Sequence, residues 1–106
     1  MELTKHIYSI EEIAKIIKPI LAEYDIKKAY VFGSYARGDA TSESDVDLYI
    51  PLLPHRMGIK YFGMYEEIQD TIKKKIDVIT DNTSFNSDEE KKRFFENVNK
   101  DKEALI

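Results

Sequence analysis

Three carboxylates stand out by type and spacing. Asp45 and Asp47 lie two residues apart in the alternating run Asp45-Val46-Asp47-Leu48-Tyr49-Ile50. On a strand this spacing sends both acidic side chains to one face and Val46, Leu48 and Ile50 to the other. Asp77 stands near the start of a second β-prone run, Ile76-Asp77-Val78-Ile79. Carboxylates brought close together repel, and a divalent cation removes that repulsion. Mg²⁺ suits such a site because it takes a few carboxylate oxygens and completes its shell with water and substrate phosphate. Two such ions can clamp the attacking and leaving oxygens of an in-line phosphoryl displacement. The plainer alternative is that Asp45 and Asp47 are solvated charges on an edge strand and that Asp77 is a strand-start residue beside the Lys73-Lys74-Lys75 run.

Just upstream lies Gly33-Ser34-Tyr35-Ala36-Arg37-Gly38, directly after the apolar run Ala29-Tyr30-Val31-Phe32. A glycine lets the backbone approach a ligand closely. The N–H groups of an opening helical turn, with the Ser34 hydroxyl, can then hold phosphate oxygens. A phosphate cradle beside a carboxylate metal site describes nucleotidyl transfer from a nucleoside triphosphate.

These residues need elements to position them. Ser9 and Glu12 have the spacing of a capping box, followed by Ile10, Ile13, Ala14, Ile17, Leu21 and Tyr24 at helical intervals. Pro19 interrupts that pattern and is expected to kink or split the helix. Ala29–Phe32 reads as a buried strand, Tyr35–Gly38 as a helical turn, and Asp39–Ser44 as a polar loop. Asp45–Ile50 follows as a two-faced strand bounded by Pro51 and Pro54. Gly58–Lys73 is a second long helix, with Ile59, Phe62, Tyr65, Ile68 and Ile72 on its apolar face. Tyr61 and Met64 fall off that stripe. Ile76–Thr80 is a third strand. A helix begins at Ser87, with Glu90 three residues on and Phe94, Phe95 and Val98 on its apolar side. Ala104–Ile106 could form a short last strand. The pattern predicts an α/β domain with a small mixed sheet flanked by helices.

Composition narrows the function classes. The chain has 106 residues, enough for one domain spanning 1–106 and too few for a separate substrate domain. There are 16 basic and 20 acidic residues, a net charge of −4, so non-specific nucleic-acid binding is not its main task. With no cysteine, disulfide scaffolds and thiolate metal sites are excluded. Met1–Tyr8 has no apolar signal core, and no apolar run approaches the length of a membrane span, which points to the cytoplasm.

Taken together, Gly33-Ser34 with Arg37-Gly38, then Ser44-Asp45-Val46-Asp47-Leu48, then Asp77 within Ile76–Ile79 strongly resemble the minimal nucleotidyltransferases of the polymerase-β-like superfamily. The resemblance runs from the first helix to the helix after Asp77. It implies that Asp45 and Asp47 bind both Mg²⁺ ions. It implies that Asp77 binds the catalytic ion and helps activate the incoming hydroxyl, and that Gly33 and Ser34 contact the triphosphate. Arg37 either binds phosphate or anchors the loop through a salt bridge. Single-domain members resemble antitoxins paired with HEPN-type ribonuclease toxins. The activity so implied is transfer of AMP from ATP to a toxin tyrosine, within a hetero-oligomer. Two alternatives stay open. One is an antitoxin that neutralises its partner by binding alone. The other is a small-molecule nucleotidyltransferase of the aminoglycoside type, whose enclosing second domain this chain lacks.

The remaining candidates read as structural. Lys73–Lys75 is a solvated helix end favoured by the helix macrodipole. Tyr35 is a packing residue. His6 and His55 have no partner at metal-binding spacing.

Overall fold

A computed structural model describes residues 2–54 and 57–106; His55 lies outside the described residues. The chain order is α1 (Ile10–Glu23), β1 (Tyr30–Phe32), α2 (Gly33–Arg37), β2 (Val46–Tyr49), α3 (Lys60–Ile72), β3 (Ile76–Ile79), α4 (Asp88–Asp101) and β4 (Glu103–Ala104).

The four strands form one sheet in the order β3-β2-β1-β4. β1 runs antiparallel to both β2 and β4, and β2 runs parallel to β3. The parallel pair needs a crossover, and α3 supplies it. Helix α1 packs beside α3, and both cover one face of the sheet. There they bury Val31, Val46, Leu48, Ile50 and Ile76 against Ile13, Ile17, Leu21, Met64, Ile68 and Ile72. The other face is covered by α4, where Phe32, Tyr49 and Val98 pack with Tyr30, Ile79, Phe94 and Phe95. This is the mixed α/β sheet that the sequence pattern predicts. Among the described residues no helix is long and apolar enough to cross a membrane.

Local chemistry explains the helix boundaries. Both bonds of the capping box form. The Ser9 hydroxyl accepts from the Glu12 N–H at 3.1 Å, and the Glu12 carboxylate accepts from the Ser9 N–H at 2.9 Å. Helix α1 is neither split nor stopped by Pro19, contrary to the expectation of a possible break. Pro19 and Lys15, whose carbonyl loses its donor, both lie on the exposed side, where water can take that bond. In α4 the Ser87 hydroxyl accepts from the Glu90 N–H at 3.1 Å.

The apolar stripe of α3 differs from the sequence expectation. Met64 is fully buried, with Ile68 and Ile72, while Phe62 is 67% exposed and Ile59 88% exposed. Tyr61 and Tyr65 are half-buried. Apolar residues occupy two competing helical phases here, and the phase that meets α1 is the one carrying Met64. The Tyr65 hydroxyl then donates to the Ile76 carbonyl at 2.7 Å, which ties the helix to β3. The last strand also shifts. It forms at Glu103–Ala104, and Leu105 follows it into the core with its N–H donating to the Ala29 carbonyl at 2.9 Å.

Candidate functional site

Strand direction gathers the candidate residues at one end of the sheet. Because β1 is antiparallel to β2, the end of β1 lies beside the start of β2, with Phe32 opposite Asp47. Because β2 is parallel to β3, their starts coincide, with Asp47 opposite Asp77. In-register residues share a face, so Asp47 and Asp77 both lie on the α4 side. Asp45 belongs to the same face by alternation and sits one residue before β2. The helical turn α2 opens at Gly33, two residues earlier than its spacing predicts, so the glycine is itself the first residue of the turn.

Gly33 is held here for two reasons. Its φ is +72°, a left-handed conformation that side chains disfavour. A Cβ at this position would collide with the Asp47 carboxylate. The backbone cradle and the central carboxylate are therefore in direct apposition. Gly38 closes α2 in the left-handed conformation, its N–H donating to the Ser34 carbonyl at 3.0 Å.

The electrostatics single out Asp47. It is half-buried, whereas Asp45 and Asp77 are exposed. Burial, followed by the like charges of Asp77 and then Asp45, pushes its carboxyl up to about 6, against the opposing pull of Arg37. Among the described residues none of the three carboxylates has an ion-pair partner. Nor do three or more acidic, histidine or cysteine side chains converge into a ready cation cage. The register brings Asp47 and Asp77 together, with Asp45 nearby but not closed around a common point. An all-oxygen donor set suits a hard cation. An open arrangement suits one that shares its shell between carboxylates and substrate phosphate.

Arg37 forms ion pairs with Asp39, Nε to Oδ2 at 3.3 Å, and with Asp101 of α4, Nη1 to Oδ2 at 3.2 Å. The second of these pairs ties α2 to α4. Tyr35 packs in the core, as its sequence context suggests. His6 is engaged with Glu12 at 3.0 Å. One expectation is overturned. Lys74 is not solvated: it is 2% exposed, and its ammonium donates to the Ser42 carbonyl at 2.9 Å. Nothing in a run of three lysines marks its middle member for burial. The signal lies in the tertiary packing of the Ser42 loop over the α3–β3 junction.

A cavity of about 460 Å³ opens at the opposite strand ends, lined by Tyr30, Tyr49, Leu52 and Lys102 among others. Its walls are largely apolar, and its charged lining is Lys27, Lys28 and Lys102 with Asp25 and Asp81, not a group of carboxylates alone. A cleft of about 130 Å³ lies beside Asp45. The clustered carboxylates and the apposed glycine turn, rather than cavity size, mark the candidate site.

Fold and site together define a nucleotidyl-transferring class, and comparison with known proteins agrees. A profile of the family "Polymerase beta, Nucleotidyltransferase" matches residues 15–105, and the chain belongs to that family. It is a nucleotidyltransferase. A protein of Methanocaldococcus jannaschii, provisionally named a protein adenylyltransferase, is 32% identical over 71% of this chain and 81% of its own length. The protein adenylyltransferase MntA of Thermococcus cleftensis is 27% identical over 67% of this chain and 76% of its own length. Among solved structures, a toxin–antitoxin complex with AMP-PNP matches with a TM-score of 0.68 at 17% identity, covering 88% of this chain and 72% of that one. A structure provisionally described as a minimal nucleotidyltransferase matches with a TM-score of 0.67 at 19% identity, covering 91% and 95%.

Proposed function

We propose that this chain, acting as a single unit over residues 1–106 in the cytoplasm, is an antitoxin. It transfers AMP from ATP to a tyrosine of a HEPN-type ribonuclease toxin and so silences it. The observation that carries the reading is the register of Asp47 with Asp77 beside the Gly33 turn. The names of the adenylyltransferase relatives support a protein acceptor. The fold match to a toxin–antitoxin complex with an ATP analogue supports the nucleotide and the partner class. The HEPN identity rests on the resemblance of the sequence motifs.

In this reading Asp45, Asp47 and Asp77 hold two Mg²⁺ ions, which supply charge neutralisation for the triphosphate and the developing negative oxygens. Gly33 lets the backbone approach the phosphates, and the Ser34 hydroxyl donates to a phosphate oxygen. Arg37 holds the turn against α4 and brings positive charge near Asp47. The tyrosine oxygen attacks the α-phosphorus, the bond from that phosphorus to the bridging oxygen breaks, and pyrophosphate leaves with the electron pair. A free phenol has a pKa near 10, so its proton must be taken up as the O–P bond forms. In this reading the carboxylate of Asp77, exposed at the strand start, takes up that proton.

Intact mass spectrometry of a co-expressed HEPN-type partner tests this directly. AMP-sized mass steps with the wild type, absent with Asp45→Ala or Asp47→Ala, are the expected result. A partner that is inhibited yet unmodified would instead assign neutralisation to binding. A partner neither bound nor modified would turn attention to small-molecule acceptors.

A further inference from the structure

We infer that Lys74 is a positioning residue for Asp45: its buried ammonium fastens the loop that delivers this carboxylate to the site. The inference rests on the reading of Asp45 as a cation ligand. Asp45 lies between two attachment points, both supplied by the α3–β3 junction. On one side, the Lys74 ammonium donates to the Ser42 carbonyl at 2.9 Å. On the other, the Val46 N–H donates to the Lys75 carbonyl at 2.9 Å. The loop between them is closed on itself, with the Ser44 N–H donating to the Thr41 carbonyl at 3.1 Å and the Thr41 N–H donating to the Ser44 hydroxyl at 2.9 Å.

Two residues beyond Lys75 is Asp77, in register with Asp47. The short stretch Lys74–Asp77 therefore carries one carboxylate and holds the loop of another, so that Asp45 is indexed to Asp77 through four consecutive residues. The junction is itself tied down, with the Thr4 N–H donating to the Lys73 carbonyl at 3.0 Å and the Tyr8 hydroxyl donating to the Ile72 carbonyl at 2.7 Å.

The burial of Lys74 is what makes this specific. Lys74 is 2% exposed, so its ammonium is drawn largely out of water, at a cost. Packing alone would be served as well by an apolar side chain, which carries no such desolvation cost. Among the described residues its exposed neighbours Lys73 and Lys75 neither donate from their ammonium groups to a carbonyl nor form an ion pair. What the buried amine holds is a backbone carbonyl three residues before Asp45.

The test uses Lys74→Met, which keeps length and apolar bulk but removes the donors, with Lys73→Met as the surface control. In the metal-free protein, hydrogen–deuterium exchange is expected to rise in the peptide covering residues 41–45 and to stay unchanged in α1 and β1. Binding of Mn²⁺, followed by water-proton relaxation without ATP or acceptor, is expected to weaken about 10-fold, as when a group orienting a metal ligand is lost. Wild-type Mn²⁺ binding must itself be lost in Asp45→Ala. Should that binding survive, Asp45 is not a ligand and the inference falls, whatever the acceptor proves to be. Unchanged exchange at 41–45, or altered exchange with unchanged Mn²⁺ affinity, also overturns it. Uniformly faster exchange throughout the chain would assign Lys74 to global stability and overturn it too. Lys74→Leu, measured in the same way, serves if the Met variant folds poorly. Because neither readout involves nucleotide or toxin, failure here is separable from failure of the adenylylation reading.

Discussion

The two faces of the sheet are built from the same strands yet serve opposite ends. Toward α1 and α3, every inward residue of β2 is apolar, and Val46 and Leu48 are essentially sealed from water. Toward α4, the same strand presents Asp47 and then Tyr49. The face therefore divides along its length into a carboxylate end and an aromatic end. The aromatic end is densely paired. Tyr49 meets Phe95 at 5.6 Å and stacks on Tyr30 at 5.8 Å. The contrast shows how a small domain can carry chemistry. One face supplies the stability that lets the other hold mutually repelling charges.

The sharpest way to break the comparison is to exchange a residue on each face. Asp47→Ala is expected to lower AMP transfer at least about 100-fold without lowering the thermal midpoint. A variant that transfers at the wild-type rate would remove Asp47 from the chemistry. The adjacent Leu48→Ala, on the opposite face, is expected to cost about 2–5 kcal/mol in urea unfolding. A cost under about 1 kcal/mol would mean that this face is not the principal source of stability.

A pH titration sharpens the comparison further. The Asp47 carboxyl is raised from 3.8 to about 6 in the folded chain. Between those values the folded state binds more protons than the unfolded state, so stability falls as pH rises from about 4 to 6. Asp47→Asn removes that slope and is expected to stabilise the metal-free protein at pH 7 by about 1–2 kcal/mol. Equal thermal midpoints for the two proteins across this range would show that the site stores no electrostatic strain. The smallest effect belongs to neither face. Ser9→Ala removes the cap of α1 and is expected to cost about 1 kcal/mol without altering transfer. A loss of transfer would connect that helix end to the site.

Much of this arrangement is legible in the amino-acid sequence alone. The Asp-Val-Asp-Leu alternation assigns acidic and apolar side chains to opposite faces, because the strand repeat is two residues. The Ser9–Glu12 and Ser87–Glu90 spacings locate two helix starts through bonds that close within one turn. Gly33 is legible as a residue that must do without a side chain, although no local pattern says that the obstruction is Asp47.

Tertiary structure decides the rest, wherever two local patterns are equally good or the partner lies far along the chain. Both Phe62 and Met64 offer an apolar phase to α3, and only packing against α1 buries Met64. Arg37 meets Asp101, sixty-four residues away, a pairing that no local pattern encodes. Lys74 lies in a run of identical residues whose differences arise only when the Ser42 loop is laid across one of them. Asp47 and Asp77 are candidates by type. Their register comes from parallel pairing across the α3 crossover, a long-range contact that no local period encodes.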